Sequence, residues 1–163
     1  MIIWALTLSP LLAGPAKMGI SSPAFASGQS IPSKFSCDGA NTSPPLQIAS
    51  VPAAAESLVL IVDDPDAPGG LFTHWLAWNI DPKTNSIGEG SAPNGTQGKN
   101  GFGKSGYGGP CPPSGTHRYF FKVFALDKTL DLAAGAGRKQ LDAAMQGHIV
   151  GQGELMGRYA RKK

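Results

Sequence analysis

Three short segments of the sequence are dominated by apolar side chains and are bounded by Gly, Pro, Asp or Asn. Residues 57–63 form a continuous apolar run that ends in Asp and Pro, which predicts a strand buried on both faces. Residues 73–80 predict a second strand of the same kind. Strict alternation in this second strand places four side chains on one face: His74, Leu76, Trp78 and Ile80.

Residues 117–126 are rich in aromatic and β-branched side chains and predict a third strand. One of its faces carries His117, Tyr119, Phe121 and Val123. Between the second and third strands, residues 81–115 contain many Gly, Pro, Asn and Ser residues, which predicts a long loop. Loops of this length in a compact domain are usually functional or partly disordered.

A single helix is predicted, over residues 136–149, because Leu141 and Met145 follow helical spacing. Gly147 weakens its last turn, and His148 is interpreted as a structural residue on the apolar side of this helix. Residues 154–159 predict a final short strand. The chain is therefore expected to be a loop-rich, mostly β protein.

Composition narrows the class of protein. The 163 residues include 22 Gly and 14 Pro, 41% are hydrophobic and 15% are charged. This composition excludes a disordered chain, a collagen-like chain and a long helical bundle, and the length predicts one domain over residues 18–163. The formal net charge of +3 is too small to indicate a nucleic-acid partner.

Residues 1–17 are interpreted separately. An apolar run followed by small residues resembles the end of a secretory signal peptide, although no Lys or Arg precedes it. The alternative is an N-terminal extension of the domain. A cleaved signal would place the protein in the periplasm or outside the cell, and an extension would leave it in the cytoplasm. The run is too short to span a membrane, so no transmembrane segment is predicted.

The two cysteines, Cys37 and Cys111, are 74 residues apart, and their spacing excludes a zinc ribbon or a thioredoxin-like motif. From the residues alone, two alternatives remain open. Each cysteine is either a small buried hydrophobic residue or one half of a disulfide, which export would favour.

Polar residues of chemical interest lie at the ends of the predicted strands. The sequence Asp63-Asp-Pro-Asp66 follows the first strand, His74 begins the second, and a Gly- and Pro-rich segment leads to His117 and Tyr119 in the third. Each has a structural alternative: Asp and Pro are common in turns, and a His or Tyr on an apolar face is often part of the core. Metal-binding, phosphate-loop and serine-nucleophile motifs are not visible, so neither a metal nor a cofactor is predicted.

Together these motifs resemble the phosphatidylethanolamine-binding protein family, which includes Raf kinase inhibitor-like proteins, and specifically its bacterial and archaeal branch. The resemblance rests on Asp-Pro-Asp-Ala-Pro68, Thr-His-Trp75 and Gly109-Pro-Cys-Pro-Pro-Ser-Gly-Thr-His-Arg-Tyr119. Phe35-Ser-Cys-Asp-Gly39 and the ending Gly153-Glu-Leu-Met-Gly-Arg-Tyr159 add to it.

The resemblance implies a Greek-key β-sandwich of two antiparallel sheets, with one or two short helices near the C-terminus and a small anion pocket at one end. The residues that match the ligand-binding positions of the family are Asp64, Asp66, His74, Cys111, Pro113, His117 and Tyr119. Prokaryotic members often carry both cysteines, which implies that the Cα atoms of Cys37 and Cys111 lie within disulfide reach, about 4.4 to 6.8 Å.

The implied function is non-enzymatic binding of a phosphoryl or carboxylate group, carried by a phospholipid headgroup, a nucleotide or a side chain of a partner protein. His and Tyr supply hydrogen-bond donors, and an Asp that accepts from a His ring favours the protonated ring. Family members also inhibit kinases and serine proteases, so an inhibitory role is a variant of this hypothesis. The alternative is a hydrolase or metal-dependent enzyme that uses the Asp and His residues of the pocket.

Overall fold

The computed structural model describes residues 13–162, so most of the segment interpreted as a signal peptide or extension lies outside the described residues. Within this range the chain forms nine strands and one α-helix. They are β1 (Ala16–Lys17), β2 (Gly19–Ser21), β3 (Leu46–Ala49), β4 (Ser57–Asp64), β5 (Phe72–Ile80), β6 (Ser86–Ile87), β7 (Thr96–Gln97), β8 (Thr116–Leu126), α1 (Arg138–Met145) and β9 (Ile149–Ala160). A short 3-10 turn covers Ser33–Phe35. The predicted mostly β fold with a helix near the C-terminus is confirmed.

The strands form two sheets, of which the larger has the order β1-β9-β8-β4-β5-β7 and the smaller the order β2-β3-β6. All pairs are antiparallel except β1 with β9, which is parallel. The larger sheet is therefore mixed rather than fully antiparallel, which corrects the expectation of two antiparallel sheets at this one edge. The Greek-key connection stays a prediction.

Strand β4 is buried along its whole length because it separates two apolar clusters. Leu58, Leu60 and Val62 face the smaller sheet, where they pack with residues such as Trp75. Val59 and Ile61 face the opposite way and pack with the side chains of α1 and of the segment before it. This double burial explains the continuous apolar run in the sequence.

Strand β5 departs from strict alternation at two positions. Leu76 and Trp78 share one face as predicted, and this face packs on α1, but Ile80 packs in the cluster between the sheets. Its pairing with β4 slips by one residue beside Asn79, which has a positive φ of 54°. The prediction that Ile80 shares the face of Leu76 and Trp78 was therefore wrong, because a β-bulge inserts one extra residue.

A second slip lies at the start of β5. Val62 pairs with Trp75 while Asp63 pairs with Thr73, which leaves His74 as the extra residue of a bulge. The ring of His74 consequently packs against the ring of Tyr119, with centroids 5.2 Å apart, on the side that faces the smaller sheet. The prediction that His74 lies on the face of Leu76 and Trp78 was wrong for the same physical reason.

The helix is shorter than predicted and β9 is longer. Helix α1 ends at Met145, and Gly147 follows with a positive φ of 80°. His148 lies after the helix, where its Nδ1 is 2.8 Å from a carboxylate oxygen of Asp127, so its placement on the helix was wrong. The predicted strand covered only residues 154–159, because Gly151 and Gly153 interrupt the alternation of apolar and polar side chains in the first half of β9.

A buried ionic cluster ties α1 to the larger sheet. Asp63, at the end of β4, is fully buried and accepts hydrogen bonds from Thr73 Oγ1 at 3.3 Å and Lys122 Nζ at 3.4 Å. The Arg138 guanidinium donates to the same carboxylate from the first turn of α1. Arg138 also contacts Asp142 one turn later, on the exposed side of the helix. Asp63 therefore has cationic partners from both the helix and the sheet.

The outer strands of both sheets are short. Loops complete the pairing of the larger sheet: residues 28–31 exchange backbone hydrogen bonds with β9, and Gly98, Gly101 and Gly108 donate to carbonyls of β5. Strands β1 and β7 each add two residues at the two edges. Few backbone groups of the long strands are therefore left without a partner. Among the described residues, no helix has the length and apolar character needed to cross a membrane.

Candidate functional site

A cavity of about 180 Å³ lies where β4 ends and β5 and β8 begin. Six of the seven predicted site residues line it: Asp64, His74, Cys111, Pro113, His117 and Tyr119. They come from three strands and one loop that are separated by up to 55 positions in the sequence. The sheet brings them together because β4 pairs with both β5 and β8.

Asp64 and His117 form a buried pair that lines the cavity. His117 Nδ1 lies 2.7 Å from Asp64 Oδ2, and the side chains are 8% and 5% exposed. An ionised carboxylate only accepts hydrogen bonds, so Nδ1 carries the proton of this contact. The other ring nitrogen, Nε2, makes no hydrogen bond with the described residues and is available to a ligand.

His74 is oriented by the backbone rather than by a carboxylate. Its Nδ1 lies 2.6 Å from the carbonyl oxygen of Gly108, and a carbonyl can only accept. The neutral ring therefore carries its proton on Nδ1 and has a lone pair at Nε2. Burial lowers the pKa of His74 below its ordinary value of 6.5, so the ring is neutral at pH 7 and above.

Tyr119 has an unsatisfied hydroxyl. The residue is fully buried, and its Oη makes no hydrogen bond of normal geometry with the described residues, although the Asp64 carboxylate and the backbone N–H of Cys111 lie near it. Burial and the nearby charge of Asp64 raise the pKa of Tyr119, so the hydroxyl keeps its proton. Buried hydroxyls without a partner are rare, and this one lines a cavity in which a ligand could accept its hydrogen bond.

The loop that carries Cys111 is fixed on one side of the cavity by covalent and packing contacts. Cys37 and Cys111 form a disulfide with Cα atoms 5.4 Å apart, which confirms the predicted pairing. The backbone N–H of Cys37 donates to the carbonyl of Pro110 at 3.0 Å. Gly109 passes so close to the Phe35 carbonyl that any Cβ there would collide with it.

Asp66 is the predicted site residue that does not line the cavity. Its carboxylate accepts three hydrogen bonds from Arg118, one from the backbone N–H and two from the guanidinium, each 2.9 Å long. The hydrogen bonds from Arg118 lower the pKa of Asp66 to about 2. Asp66 therefore stays ionised and orients Arg118 just outside the cavity.

The cavity also has apolar walls that the sequence motifs did not predict. They are formed by Ala67, Pro68, Phe72, Phe102 and Pro112. Phe72 and Phe102 contact each other with ring centroids 4.8 Å apart, and both contact the ring of His74. Phe102 lies in the long loop before β8. The one sequence signal that could have identified it as a site residue is its apolar side chain in a mostly polar segment.

Within residues 13–162, no three His, Cys, Asp or Glu side chains are arranged to hold a metal ion. The polar groups of the cavity are instead one carboxylate, two imidazoles and one phenol. Such a set offers hydrogen-bond donors at Tyr119 and, once protonated, at both imidazoles. It can therefore bind an oxyanion by hydrogen bonds and charge.

The fold and the site thus define a class of protein: a β protein of two sheets with a small cavity of His, Tyr and Asp residues at the end of the larger sheet. Comparison with known proteins agrees with this class. Residues 21–160 match the family profile described as phosphatidylethanolamine-binding protein. The chain belongs to the phosphatidylethanolamine-binding protein family.

Relatives occur in archaea and bacteria. A UPF0098 protein of Pyrococcus horikoshii is 50% identical over 160 residues, which span 91% of this chain and 80% of that protein. The crystal structure of a phosphatidylethanolamine-binding protein homologue of Chlamydia trachomatis has 44% identity and a TM-score of 0.87, and covers 90% of this chain and 99% of that one. E. coli YbcL, described as a new member of the mammalian family, has 30% identity and a TM-score of 0.82, over 90% of this chain and all of that one.

Proposed function

We propose that this protein binds, without catalysing a reaction, a ligand that carries a phosphoryl or carboxylate group, and that the cavity between β4, β5 and β8 holds this group. The observation that carries the proposal is the buried Tyr119 hydroxyl, which lacks a partner and lines the same cavity as the His74 and His117 rings. An oxyanion would accept from the hydroxyl and would favour protonated imidazoles. Its negative charge and its several acceptor atoms suit this donor set.

The ionised Asp64 does not oppose this function. It accepts a hydrogen bond from Nδ1 of His117, so a proton that the ring takes up together with an anion lies on Nε2, which then becomes a donor. The pair is then neutral overall, and the proton on Nε2 is directed by the fixed ring orientation. In His74 the backbone carbonyl of Gly108 fixes the ring in the same way, and protonation converts its Nε2 from an acceptor to a donor.

The apolar walls indicate what carries the anionic group. Phe72, Phe102 and Pro112 line the cavity, so an anionic group that enters it would bring apolar parts of a larger molecule into contact with these side chains. A phospholipid headgroup, a nucleotide or an acidic side chain of a partner protein each has this character. Capture of a partner side chain would make the protein an inhibitor of a kinase or a protease.

Replacing Tyr119 by Phe tests the proposal. The substitution removes only the hydroxyl, so the protein is expected to fold as before. We expect the affinity for inorganic phosphate to fall about tenfold, the loss expected for one hydrogen bond to a charged group. Isothermal titration calorimetry at low ionic strength measures the change.

Tyr159→Phe is the matched control, because the Tyr159 hydroxyl donates to Asp38 and does not line the cavity. This variant should bind phosphate like the original protein. Equal affinities of all three proteins for phosphate would refute the proposed role of the cavity.

A pH titration gives a second test. Sulfate is the suitable probe because it stays a dianion between pH 5 and 8, whereas phosphate itself titrates. Burial lowers the pKa of His74 below its ordinary value of 6.5 in the free protein, so the ring can donate from Nε2 to an anion only after it takes up a proton. We therefore expect sulfate affinity to rise as the pH falls from 8 towards the pKa of His74, by up to about tenfold per pH unit for one proton.

The His74→Gln variant should lose the part of this pH dependence that His74 contributes. His148→Gln is the control, since His148 lies on the surface beside Asp127 and should leave the titration unchanged. Sulfate binding that is independent of pH in the original protein would contradict the assignment of the donor to a protonated imidazole.

A further inference from the structure

A groove of about 560 Å³ adjoins the anion cavity, and His117 lines both. The other residues of the groove are Asp66, Ser114, Gly115, Thr116, Arg118 and Arg158. His117, near the start of β8, is therefore the point at which the cavity and the groove come together. The groove is open to solvent, and its charged residues lie on the opposite side of β8 from the Tyr119 ring.

Two arginines face each other in this groove. Arg118 of β8 and Arg158 of β9 are directly opposite partners in the antiparallel ladder, and both are exposed. Directly opposite residues have Cβ atoms only about 4.5–5.5 Å apart, and like charges at such positions destabilise a sheet. The pair is therefore unfavourable for folding unless a negative charge lies nearby.

Only one of the two arginines has an acidic partner. Asp66 binds Arg118 through both guanidinium contacts. Arg158 makes no ion pair with any residue between 13 and 162. Two positive charges and one negative charge leave the groove with a surplus of one positive charge, next to a cavity that we assign to an anion.

We infer that the groove is a second anionic subsite, and that the ligand is a short polyanion. This inference rests on the proposed function. One anionic group occupies the cavity of His74, His117 and Tyr119, and the next one or two groups pass His117 and contact Arg118 and Arg158. A linear chain of linked phosphoryl groups, as in a diphosphate or a triphosphate, has the required chemistry. Asp66 holds the Arg118 guanidinium in place before the ligand arrives.

The test is a series of inorganic probes of one chemistry and increasing length: phosphate, pyrophosphate and triphosphate. Affinities are measured by isothermal titration calorimetry at constant ionic strength and without divalent cations. We expect affinity to increase along the series. In Arg158→Gln, triphosphate should bind about three- to tenfold more weakly, as expected for one exposed charge-assisted contact, while phosphate affinity stays unchanged.

Lys139→Gln is the matched control, because Lys139 is an exposed cation on α1 that forms no ion pair with the described residues. It changes the net charge as Arg158→Gln does. Equal losses of triphosphate affinity in these two variants would overturn the inference, since the effect would then reflect net charge alone.

The two proposals fail in different ways. If phosphate binding depends on Tyr119 but affinity does not rise with probe length, the second subsite is wrong and the anion cavity stands. A second outcome is that triphosphate binding depends on Arg158 while the affinities for phosphate and triphosphate are both unchanged in Tyr119→Phe. In that case the groove binds anions by itself, and the proposed function of the cavity is wrong. The inferred path from cavity to groove is then wrong as well.

Discussion

Replacing both Cys37 and Cys111 by Ala is expected to lower the free energy of unfolding by about 4 kcal/mol. The disulfide links residues 74 positions apart, and in the chain-entropy model a cross-link over such a distance strongly restricts the unfolded chain. Unfolding in guanidinium chloride, followed by tryptophan fluorescence, measures the difference. Phosphate binding should weaken too, because Cys111 lines the cavity and the bond fixes its loop.

Reduction of the original protein is the control for this prediction. A reductant should lower its stability to that of the double variant, and the double variant itself should not respond to reductant. A loss of less than about 1 kcal/mol in either experiment would show that the backbone contacts of the loop hold it without the covalent bond.

Arg138→Met is expected to lower the free energy of unfolding by about 3 kcal/mol. This is the loss typical of removing one partner of a buried ion pair. Methionine keeps much of the aliphatic stem, so the effect reports the lost charge. Asp63 is fully buried and would keep only Lys122, at 3.4 Å, as a cationic partner. Urea denaturation at pH 7 measures the loss.

Asp142→Asn provides the comparison. Asp142 contacts the same guanidinium, but its side chain is 53% exposed, so its loss should change stability by less than about 1 kcal/mol. Similar losses in Arg138→Met and Asp142→Asn would contradict the view that the buried carboxylate of Asp63 is what makes Arg138 important.

The central strands could be predicted from the sequence because burial on both faces leaves a continuous apolar run. The predicted segments at 57–63, 73–80 and 117–126 agree with β4, β5 and β8 to within one residue at each end. In β8 one face is buried at alternate positions, as periodicity predicts. The first half of β9 was missed, because Gly151 and Gly153 lie against Met18 and have no side chain to show which face is buried.

The candidate site was predictable only in part. Six of its residues were named from family motifs, but periodicity placed His74 on the wrong face. A bulge adds one residue to β5 without leaving a signal in the hydrophobic pattern, and it is this extra residue that brings His74 to Tyr119. Phe102 lines the cavity, and the Gly108 carbonyl binds His74, which is 34 positions away in the sequence. Local sequence patterns do not encode such contacts between a loop and a strand.

The short outer strands have a consequence for the protein at high concentration. Fibrils and strand-swapped assemblies grow when a long, unpaired strand edge hydrogen-bonds to another copy of the chain. Here the long strands β5 and β9 are covered by loops and by β7 and β1, which are two residues each. The described part of the native chain therefore offers little backbone to template intermolecular sheet growth, and aggregation through strand addition would first require the covering loops to detach.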